Sequence, residues 1–346
     1  MDDLKDKDTV SVYFVNAALS HLDEAARAHA LKASGIPAEL LGSPQARVTA
    51  PAFSALWRAT ALALNDEFFG LDRRPMKLGS FALLCHAVLA CDNLDQALKR
   101  ALRGFALFLD DIHGELRLDG AHAVIDVHNR IQAPQDRLFA DETFLILVHG
   151  LMCWLIGQRV PLAQVSLAHA RPPHAREYTR MYSQHLAFDQ HCTSISFDAQ
   201  VLGRPLVQNA ATLQQFLKSA PQSVFLKYKN EDSWTVRLRR RLRSALGSET
   251  WPVFEELAAE LGTTPTTLRR RLEAEGNSFQ DIKDQLRSDL AINLLCHSAQ
   301  SIDDIGAQLG FQDASAFHRA FKRWSGLQPG EYRQRRLSAE LPVKKG

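Results

Sequence analysis

Two stretches near the C-terminal end of the chain combine polar residues with apolar residues at helical spacing. In the first, Leu268 and Leu272 are four residues apart, so they share one helix face that is predicted to be buried. Polar residues on the other side of this helix then point outward. An outward arginine presents a fork of donors that matches the acceptor pair on the major-groove edge of guanine. The candidate base-contacting residues of this stretch are Thr266, Arg269 and Arg270.

The second stretch repeats the arrangement, with Phe317 and Phe321 as the apolar pair. Its candidate base-contacting residues are Ala314, Ser315, His318 and Arg319. Candidate phosphate contacts are Thr264, Arg237, Arg240, Lys322 and Arg323. The alternative for each single arginine is a solvated helix face, but two such helices in matched register favour DNA recognition over chance.

These helices belong to an internal repeat, in which residues 256–272 align with residues 304–321. Each copy has the pattern of a helix-turn-helix: a short helix with a small residue facing its partner, a turn glycine, and a second helix. The small residues are predicted to be Ala259 and Ala307, and the turn glycines Gly262 and Gly310. Thr264 and Asp313 are the expected N-caps of the second helices.

A long helix over 278–298 connects the two copies, because its apolar residues recur at spacings of three and four. Its length of roughly 28 Å is comparable with the ~34 Å that separates successive major grooves. One chain could therefore fill two adjacent grooves. An arginine-rich helix over 234–246 precedes the first copy, with Leu246 among its predicted core residues.

The rest of the chain has mixed patterns. Helical periodicity is predicted over residues 10–34, 51–65, 80–108, 136–158, 174–184 and 210–219, and strands over Glu115–Leu118, Ala123–His128, Val165–His169 and Ser194–Phe197. The predicted fold is an α+β domain followed by an all-α domain. The predicted domain bounds are 1–218, a linker over 219–232, 233–337 and a tail over 338–346.

Composition excludes several classes of protein. The 346 residues are 46% hydrophobic and 23% charged with a net charge of +2, which is ordinary for a globular protein. We predict no export signal at the start of the chain, and the apolar stretch 144–156 is shorter than the ~20 residues of a membrane span. The five cysteines are an odd number without paired spacing, which favours a reducing cytoplasm. We predict no membrane association, no cofactor and no metal.

The C-terminal residues resemble the AraC/XylS family of bacterial transcription regulators. The resemblance runs from Arg287 through LGF (309–311) and SAFHRAFKRWSG (315–326) to PGEYR (329–333). It implies a seven-helix domain with two helix-turn-helix units, and double-stranded promoter DNA as the partner. An activator of this kind would also contact RNA polymerase.

The N-terminal region is similar to the companion domain of one AraC-type subgroup, labelled arabinose-binding-like. The similarity lies in GIPAELL (35–41), SALWRA (54–59), FGLDRRP (69–75) and FLILVHGLMCWLIG (144–157). It implies effector sensing and dimerisation: a small-molecule effector, and a homodimer formed through this domain. The identity of the effector and the sign of regulation are not fixed by these residues.

Two alternatives involve cysteine chemistry. A metal- or redox-sensing regulator could use His149 with Cys153, or His191 with Cys192. A DNA-repair methyl acceptor would need a reactive cysteine, but Cys85 lacks the Pro-Cys-His-Arg context and no four-cysteine zinc pattern occurs. No motif of a known catalytic site is present, so we predict no catalytic residues and no enzyme activity.

Overall fold

The computed structural model describes residues 9–183, 185–225, 234–245, 251–274 and 277–340. The chain forms two compact units. The sheet unit contains the described residues of Ala17–Arg27 and Leu56–Lys229. The helical unit contains those of Met1–Asn16, Ala28–Ala55 and Asn230–Gly346.

The elements follow one another in chain order. The first are β1 (Thr9–Ser11), α1 (Val12–Ala18), α2 (Glu24–Ser34), β2 (Arg47–Thr49) and α3 (Ala50–Leu64). Next come α4 (Ser80–Val88), α5 (Leu94–Phe108), β3 (Ile112–Asp119), β4 (His122–Asn129), α6 (Pro134–Leu155), β5 (Gln164–Ser166), α7 (Ala175–Met181), β6 (Leu186–Ala187), β7 (Thr193–Asp198), α8 (Ala210–Ser219) and α9 (Gln222–Phe225). The last seven are α10 (Trp234–Ser244), α11 (Phe254–Glu260), α12 (Pro265–Ala274), α13 (Phe279–His297), α14 (Ile302–Gln308), α15 (Ala314–Ser325) and α16 (Pro329–Glu340).

A five-stranded sheet of order β3-β4-β7-β5-β6 organises the sheet unit. All its pairs are antiparallel except β5 with β6. One face of β3 is covered closely, because a Cβ on Gly114 would lie 2.9 Å from Leu102 and 3.0 Å from Phe144. Residues alternate between faces along a strand, so the neighbours of Gly114 in β3 point away from this contact.

Helix α6 is the core of the sheet unit. It is long and apolar enough to resemble a membrane span, yet 94% of its most apolar window is buried within the protein. The helix predicted over 136–158 is thus present, and its apolar part is buried. Gly150 allows close packing, because a Cβ there would lie 2.5 Å from the carbonyl oxygen of Val224. Residues 219–225 lie within the predicted linker and include α9, whose Val224 is buried.

Two buried carboxylates on α6 hold neighbouring elements in place. Asp141 accepts hydrogen bonds from Thr193 Oγ1 at 2.6 Å and from Asn129 Nδ2 at 2.8 Å. Burial raises the pKa of Asp141 in spite of these hydrogen bonds. Glu142 accepts from the Tyr178 hydroxyl at 2.5 Å. These two carboxylates are therefore hydrogen-bonded to partners from β4, β7 and α7, as buried polar groups require.

The segment FGLDRRP (69–75) forms a fixed loop. Asp66 accepts from the backbone N–H groups of Phe68 at 2.9 Å and Gly70 at 2.6 Å. Asp72 accepts from the N–H of Asp111 at 2.7 Å, and Arg73 Nε donates to both carboxylate oxygens of Asp111 at 2.9 Å. The segment 69–75 thus joins the loop after α3 to the residue that precedes β3, Asp111.

The helical unit also contains two short strands from the beginning of the chain, β1 and β2, which pair antiparallel. Thr9 Oγ1 donates to Asp289 Oδ1 on α13 at 2.8 Å, and Arg47 Nε donates to Thr9 Oγ1 at 2.7 Å. The hydroxyl of Tyr332 on α16 donates to the carbonyl oxygen of Arg47. The first strands are therefore bonded to the C-terminal helices, although the sequence pattern predicts them as part of the N-terminal domain.

The predicted α+β domain and the following all-α domain are confirmed. The four predicted strands are present as β3, β4, β5 and β7, whereas the short β1, β2 and β6 were not predicted. Two predicted helices are each divided in two, at 19–23 and 89–93. The division follows the caps: Asp23 Oδ1 accepts from Ala26 N at 2.8 Å, and Asn93 Oδ1 accepts from Gln96 N at 3.1 Å. Parts of three predictions lie outside the described residues: Leu246 of the arginine-rich helix, residues 226–233 of the linker and its flank, and residues 341–346 of the tail.

Candidate nucleic-acid interface

The first helix-turn-helix consists of α11, a tight turn and α12. Gly262 has a φ of 68°, in the left-handed region that glycine adopts without strain. Its N–H donates to the carbonyl of Ala259 at 2.9 Å, and the N–H of Thr263 donates to that of Ala258 at 2.9 Å. These bonds satisfy carbonyls at the end of α11 and turn the chain directly into α12.

Helix α12 has a buried face and an exposed face. Leu268 is 0% exposed and Leu272 is 1% exposed, which fixes the side of the helix that faces the core. Thr264 Oγ1 accepts from the N–H of Thr267 at 3.2 Å and so caps the helix as predicted. Thr266, Arg269 and Arg270 are all exposed. The Arg269 guanidinium lies 5.6 Å from the centre of the Phe254 ring, so the two arginines have different surroundings.

The second unit repeats this geometry with α14 and α15. Gly310 has a φ of 74°, and its N–H donates to the carbonyl of Ala307 at 2.9 Å. Asp313 Oδ1 accepts from the N–H of Ala316 at 2.6 Å, which confirms the predicted cap. Phe317 and Phe321 are both 0% exposed. The internal repeat in sequence is therefore a repeat in structure, with one more residue between Gly310 and α15 than between Gly262 and α12.

The small residues that face the partner helices are not the predicted ones. Ala259 and Ala307 are exposed, whereas the preceding residues Ala258 and Gly306 are buried. A Cβ on Gly306 would lie 3.1 Å from Cβ of Phe317, which shows how closely α14 approaches α15. The prediction was wrong by one position, because one residue corresponds to a rotation of about 100° around a helix.

The exposed face of α15 contains most of the predicted contact residues. Ala314, Ser315 and Arg319 are exposed. His318 is half-buried, and its Nδ1 lies 3.2 Å from Oε1 of Gln328. Arg319 occupies the position of the repeat that Arg270 occupies in α12, so each second helix presents one exposed arginine at the matched position.

Helix α13 connects the two units, and Arg287 is its main polar contact with the second one. Arg287 Nε donates to the carbonyl of Leu309 and Nη2 to that of Gly310, both at 2.9 Å. Its guanidinium also lies 4.6 Å from the centre of the Trp251 ring and 4.7 Å from that of Phe311. Arg287 therefore binds the end of α14 by charge-assisted hydrogen bonds and by cation–π contacts at once.

A buried ion pair connects α13 to the first helix of the domain. Asp289 is 1% exposed, and its Oδ2 accepts from Arg239 Nη2 of α10 at 3.0 Å. Leu238 and Leu242 of α10 are fully buried. Helix α10 is thus attached to the domain by two buried leucines and by Arg239. Its other arginines differ in exposure.

The candidate phosphate contacts differ in exposure. Arg240 and Lys322 are exposed. Arg237 is half-buried, with its guanidinium 4.4 Å from the centre of the Trp234 ring. Arg323 is exposed and donates to Asp284 Oδ2 of α13 at 3.3 Å. The hydroxyl of Thr264 caps α12, which places it at the N-terminus of a recognition helix, where backbone N–H groups favour phosphate.

Three cysteines bear on the metal-sensing, redox-sensing and methyl-acceptor alternatives: Cys85 and Cys153 are buried, and Cys192 is half-buried. Cys85 is 0% exposed, and burial raises the pKa of its thiol, which opposes formation of the nucleophilic thiolate. Cys153 is also buried and accepts from the N–H of Val160 at 3.3 Å, while Nε2 of His149 lies 2.8 Å from the carbonyl oxygen of Val160. His149 and Cys153 thus connect α6 to the segment that follows it. Cys192 donates to Asp126 at 3.8 Å.

Two caps, two glycine turns and two matched exposed helices define a DNA-binding protein with tandem helix-turn-helix units. A family model described as the arabinose-binding domain of AraC transcription regulators matches residues 25–206, and a helix-turn-helix domain model matches residues 257–335. The first match alone covers more than half of the chain, and the protein belongs to the AraC family of transcription regulators. It is therefore a DNA-binding regulator that acts on promoter DNA.

Curated relatives match over most of their length. The ornithine utilization regulator of Pseudomonas aeruginosa is 28% identical over 304 residues, which cover 87% of this chain and 89% of the relative. The regulator VqsM of the same species is 26% identical over 267 residues, which cover 74% and 80%.

Solved structures match as well. That of the regulator CdpR from Pseudomonas aeruginosa is 19% identical and covers 92% of this chain and 96% of its own, with a TM-score of 0.34. The DNA-binding domain of AdpA in complex with a target DNA is 27% identical and covers 30% of this chain and 96% of its own, with a TM-score of 0.27.

Proposed function

We propose that this regulator reads two adjacent major grooves of its operator, α12 in one and α15 in the other, under the control of a small molecule bound by its N-terminal domain. The observation that carries the DNA-reading part is the matched pair Arg270 and Arg319. Both are exposed, and both lie on helices whose opposite faces are fully buried at Leu268 and Phe317. An arginine fixed in this way can present its fork of donors to a base edge.

The connecting helix supports the two-groove arrangement. Helix α13 has 19 residues, which corresponds to a length of roughly 28 Å. It is bonded to α10 through Asp289 and to the end of α14 through Arg287. Helix α10 in turn contacts the first unit, because the guanidinium of Arg271 on α12 lies 4.1 Å from the centre of the Trp234 ring. A connection anchored in this way fixes the spacing of the two units, and a fixed spacing suits a duplex whose successive grooves are ~34 Å apart.

The test begins with an operator selected from a pool of random duplex DNA by the full-length protein. Arg270→Ala and Arg319→Ala are then measured on that operator and on its single-base variants. Each substitution should weaken specific binding by about 1 to 3 kcal/mol and relax the preference at one base pair, in a different half of the site for each arginine. Arg323→Ala is the control. Arg323 donates to Asp284 and is a candidate phosphate contact, so its loss should not change the preference at any single base pair.

A loss that is equal on every sequence would reassign the residue to the phosphate backbone. A footprint that covers one groove per chain would contradict the two-groove arrangement. Unchanged affinity for Arg319→Ala would mean that the second unit docks without reading bases.

The effector part of the proposal rests on the family of the N-terminal domain. The relative named as an ornithine utilization regulator makes L-ornithine the first ligand to test, with L-arabinose second because of the domain's name. Thermal denaturation of the full chain with each ligand should show a rise in melting temperature for the effector, since a ligand that binds the folded state stabilises it. Footprinting with and without that ligand tests control of DNA binding, which requires different affinities in the two states.

Further parts of the proposal concern assembly and location. We assign residues 1–218 to effector binding and dimerisation, and residues 233–337 to DNA binding. We also propose that the protein acts in the cytoplasm. Where the protein activates transcription, RNA polymerase is its partner. Sedimentation of the full-length protein over a range of concentrations would test dimerisation.

A further inference from the structure

Two histidines and a glutamate lie together on the hairpin of β3 and β4, in the sheet unit. His113 of β3 is paired directly with His128 of β4 in the register of the sheet. Glu115 follows His113 by two residues, so both point to the same face of the strand. These three residues are far from the recognition helices in sequence and take no part in the proposed DNA interface.

The side-chain atoms of the three residues converge. His113 Nε2 lies 3.9 Å from Glu115 Oε1, and His128 Nε2 lies 3.5 Å from Glu115 Oε2. The two imidazole rings are 4.9 Å apart at their centres, with an angle of 22° between their planes. One ligand atom from each residue can be chosen so that all three lie within 4.8 Å of one another.

We propose that His113, Glu115 and His128 bind a divalent transition-metal ion of the zinc class. Zinc bonds to histidine nitrogen and carboxylate oxygen are about 2.0 to 2.2 Å long, so two ligand atoms of a tetrahedral site lie about 3.4 Å apart. The 3.9 Å from His113 Nε2 to Oε1 of Glu115 and the 3.5 Å from His128 Nε2 to its other oxygen, Oε2, are slightly longer than this value. Small rotations of partly exposed side chains would complete the geometry.

The surroundings suit such a site. On the opposite face of the hairpin, Ile112 and Val127 are buried, so the strands that carry the ligands are held by the core. Arg117, two residues further along the same face of β3, donates to Asp126 at 2.6 Å and to Asp119 at 3.1 Å. Arg117 thus forms its ion pairs with Asp126 and Asp119. Burial lowers the pKa of His113, and the neutral imidazole is the form that binds metals.

The chemistry of the ligands selects the ion. Two imidazoles and one carboxylate are borderline to hard donors, which suit Zn²⁺ and Ni²⁺ better than Ca²⁺ or Mg²⁺. Three protein ligands leave a fourth tetrahedral position for water or another small ligand. The bound ion would cross-link the edge strand β3 to β4.

The test is a titration of the full-length, metal-stripped protein with Zn²⁺ by calorimetry, followed by Co²⁺ as a spectroscopic substitute. We expect one ion bound per chain through this site, and visible absorption of the strength typical of four-coordinate cobalt. His128→Gln and Glu115→Gln should each weaken the binding by at least about tenfold. His122→Gln is the matched control, because His122 is exposed on the same face of β4, at the other end of the strand.

Thermal denaturation provides a second readout that also checks folding. Zn²⁺ should raise the melting temperature of the wild type and of His122→Gln, and not that of His128→Gln. Binding that is unchanged in His128→Gln and Glu115→Gln would overturn the proposal and direct attention to the cysteines. Absence of binding at micromolar Zn²⁺, or equal weakening by His122→Gln, would overturn it as well.

Discussion

Nη2 of Arg287 donates to the carbonyl oxygen of Gly310 at 2.9 Å, so a residue in the middle of α13 holds the turn of the second helix-turn-helix. The same guanidinium lies against the rings of Trp251 and Phe311. Burial lowers the pKa of Arg287, yet its ordinary value is so high that the group stays charged at neutral pH. The position of the second unit relative to the connecting helix therefore depends strongly on this one side chain.

Arg287→Ala should lower the free energy of unfolding by about 1.5 to 3 kcal/mol, the range for hydrogen bonds to a charged group. Arg287→Lys should not restore it, because an ammonium cannot bond both carbonyls and stack between two rings. Urea unfolding of the full chain measures both. Lys283→Ala is the control, since Lys283 is on the same helix and lies 5.7 Å from the centre of the Trp251 ring. Equal losses for Lys283→Ala and Arg287→Ala would contradict the special role of Arg287.

Two aspartates of α13 form ion pairs of very different burial. Asp289→Ala should cost about 3 to 5 kcal/mol, because it removes one partner of the buried pair with Arg239. Asp284→Ala should cost less than about 1 kcal/mol, because its partner Arg323 is exposed. Chemical denaturation of both variants provides the comparison.

The two variants make a matched pair, because both aspartates are on α13 and both are changed to alanine. The difference in helix propensity between aspartate and alanine therefore largely cancels in the comparison. Equal losses for the two variants would show that the buried pair contributes nothing beyond a surface ion pair.

The two turn glycines have the same backbone conformation and different surroundings. Gly262→Ala should cost about 1 to 2 kcal/mol, the strain of a side chain in the left-handed region. Gly310→Ala should cost more, because a Cβ there would clash with the Trp251 ring, whereas no atom of the described residues lies within 4 Å of a Cβ on Gly262. Thermal melts of the two variants test the order. A larger loss for Gly262→Ala would contradict the close contact between Gly310 and Trp251.

Exposed arginines of α10 should contribute to DNA binding through phosphates. Arg240→Ala should reduce the slope of log affinity against log salt concentration by about 0.9, the value for one phosphate contact, and weaken binding equally on all sequences. Arg237→Ala should leave that slope unchanged, because its guanidinium stacks on Trp234. Binding measured at several salt concentrations separates the two variants. A slope that changes for Arg237 and not for Arg240 would reverse their assignment.

Cys85 should be chemically inert in the folded protein. Its side chain is fully buried and burial raises its pKa, so the reactive thiolate is scarce at neutral pH. We expect alkylation of the native protein to modify the half-buried Cys296 before Cys85, with peptide mass spectrometry as the measurement. Unfolding in denaturant should remove the difference. Transfer of a methyl group from alkylated DNA to Cys85 would contradict this expectation.

The sequence predicts the two helix-turn-helix units well because the relevant signals are local. Leu268 and Leu272 mark the buried face of one helix, Thr264 caps it, and a glycine in the left-handed region ends the helix before it. Each of these signals involves residues within about one or two turns of one another. The error at Ala259 and Ala307 is also local, since periodicity does not distinguish adjacent positions at the edge of a buried face.

Contacts between residues distant in the chain could not be predicted in this way. Thr9 and Asp289 are 280 positions apart, and nothing in the pattern of the first residues indicates a hydrogen bond to α13. The approach of Arg287 to Gly310 likewise depends on how α13 crosses the end of α14. Such contacts follow from packing, in which many weak local preferences are satisfied together.

Sequence alone thus determined the two helix-turn-helix units, their caps and turns, and the outward arginines Arg270 and Arg319, because helix periodicity and capping act over a few residues. The tertiary structure decided the anchoring of α13 and the convergence of His113 with His128. The register of two antiparallel strands joins those two histidines, which are 15 positions apart in the chain. Pairing register is set by the buried face of the sheet and the turn, so only the folded chain shows which side chains meet.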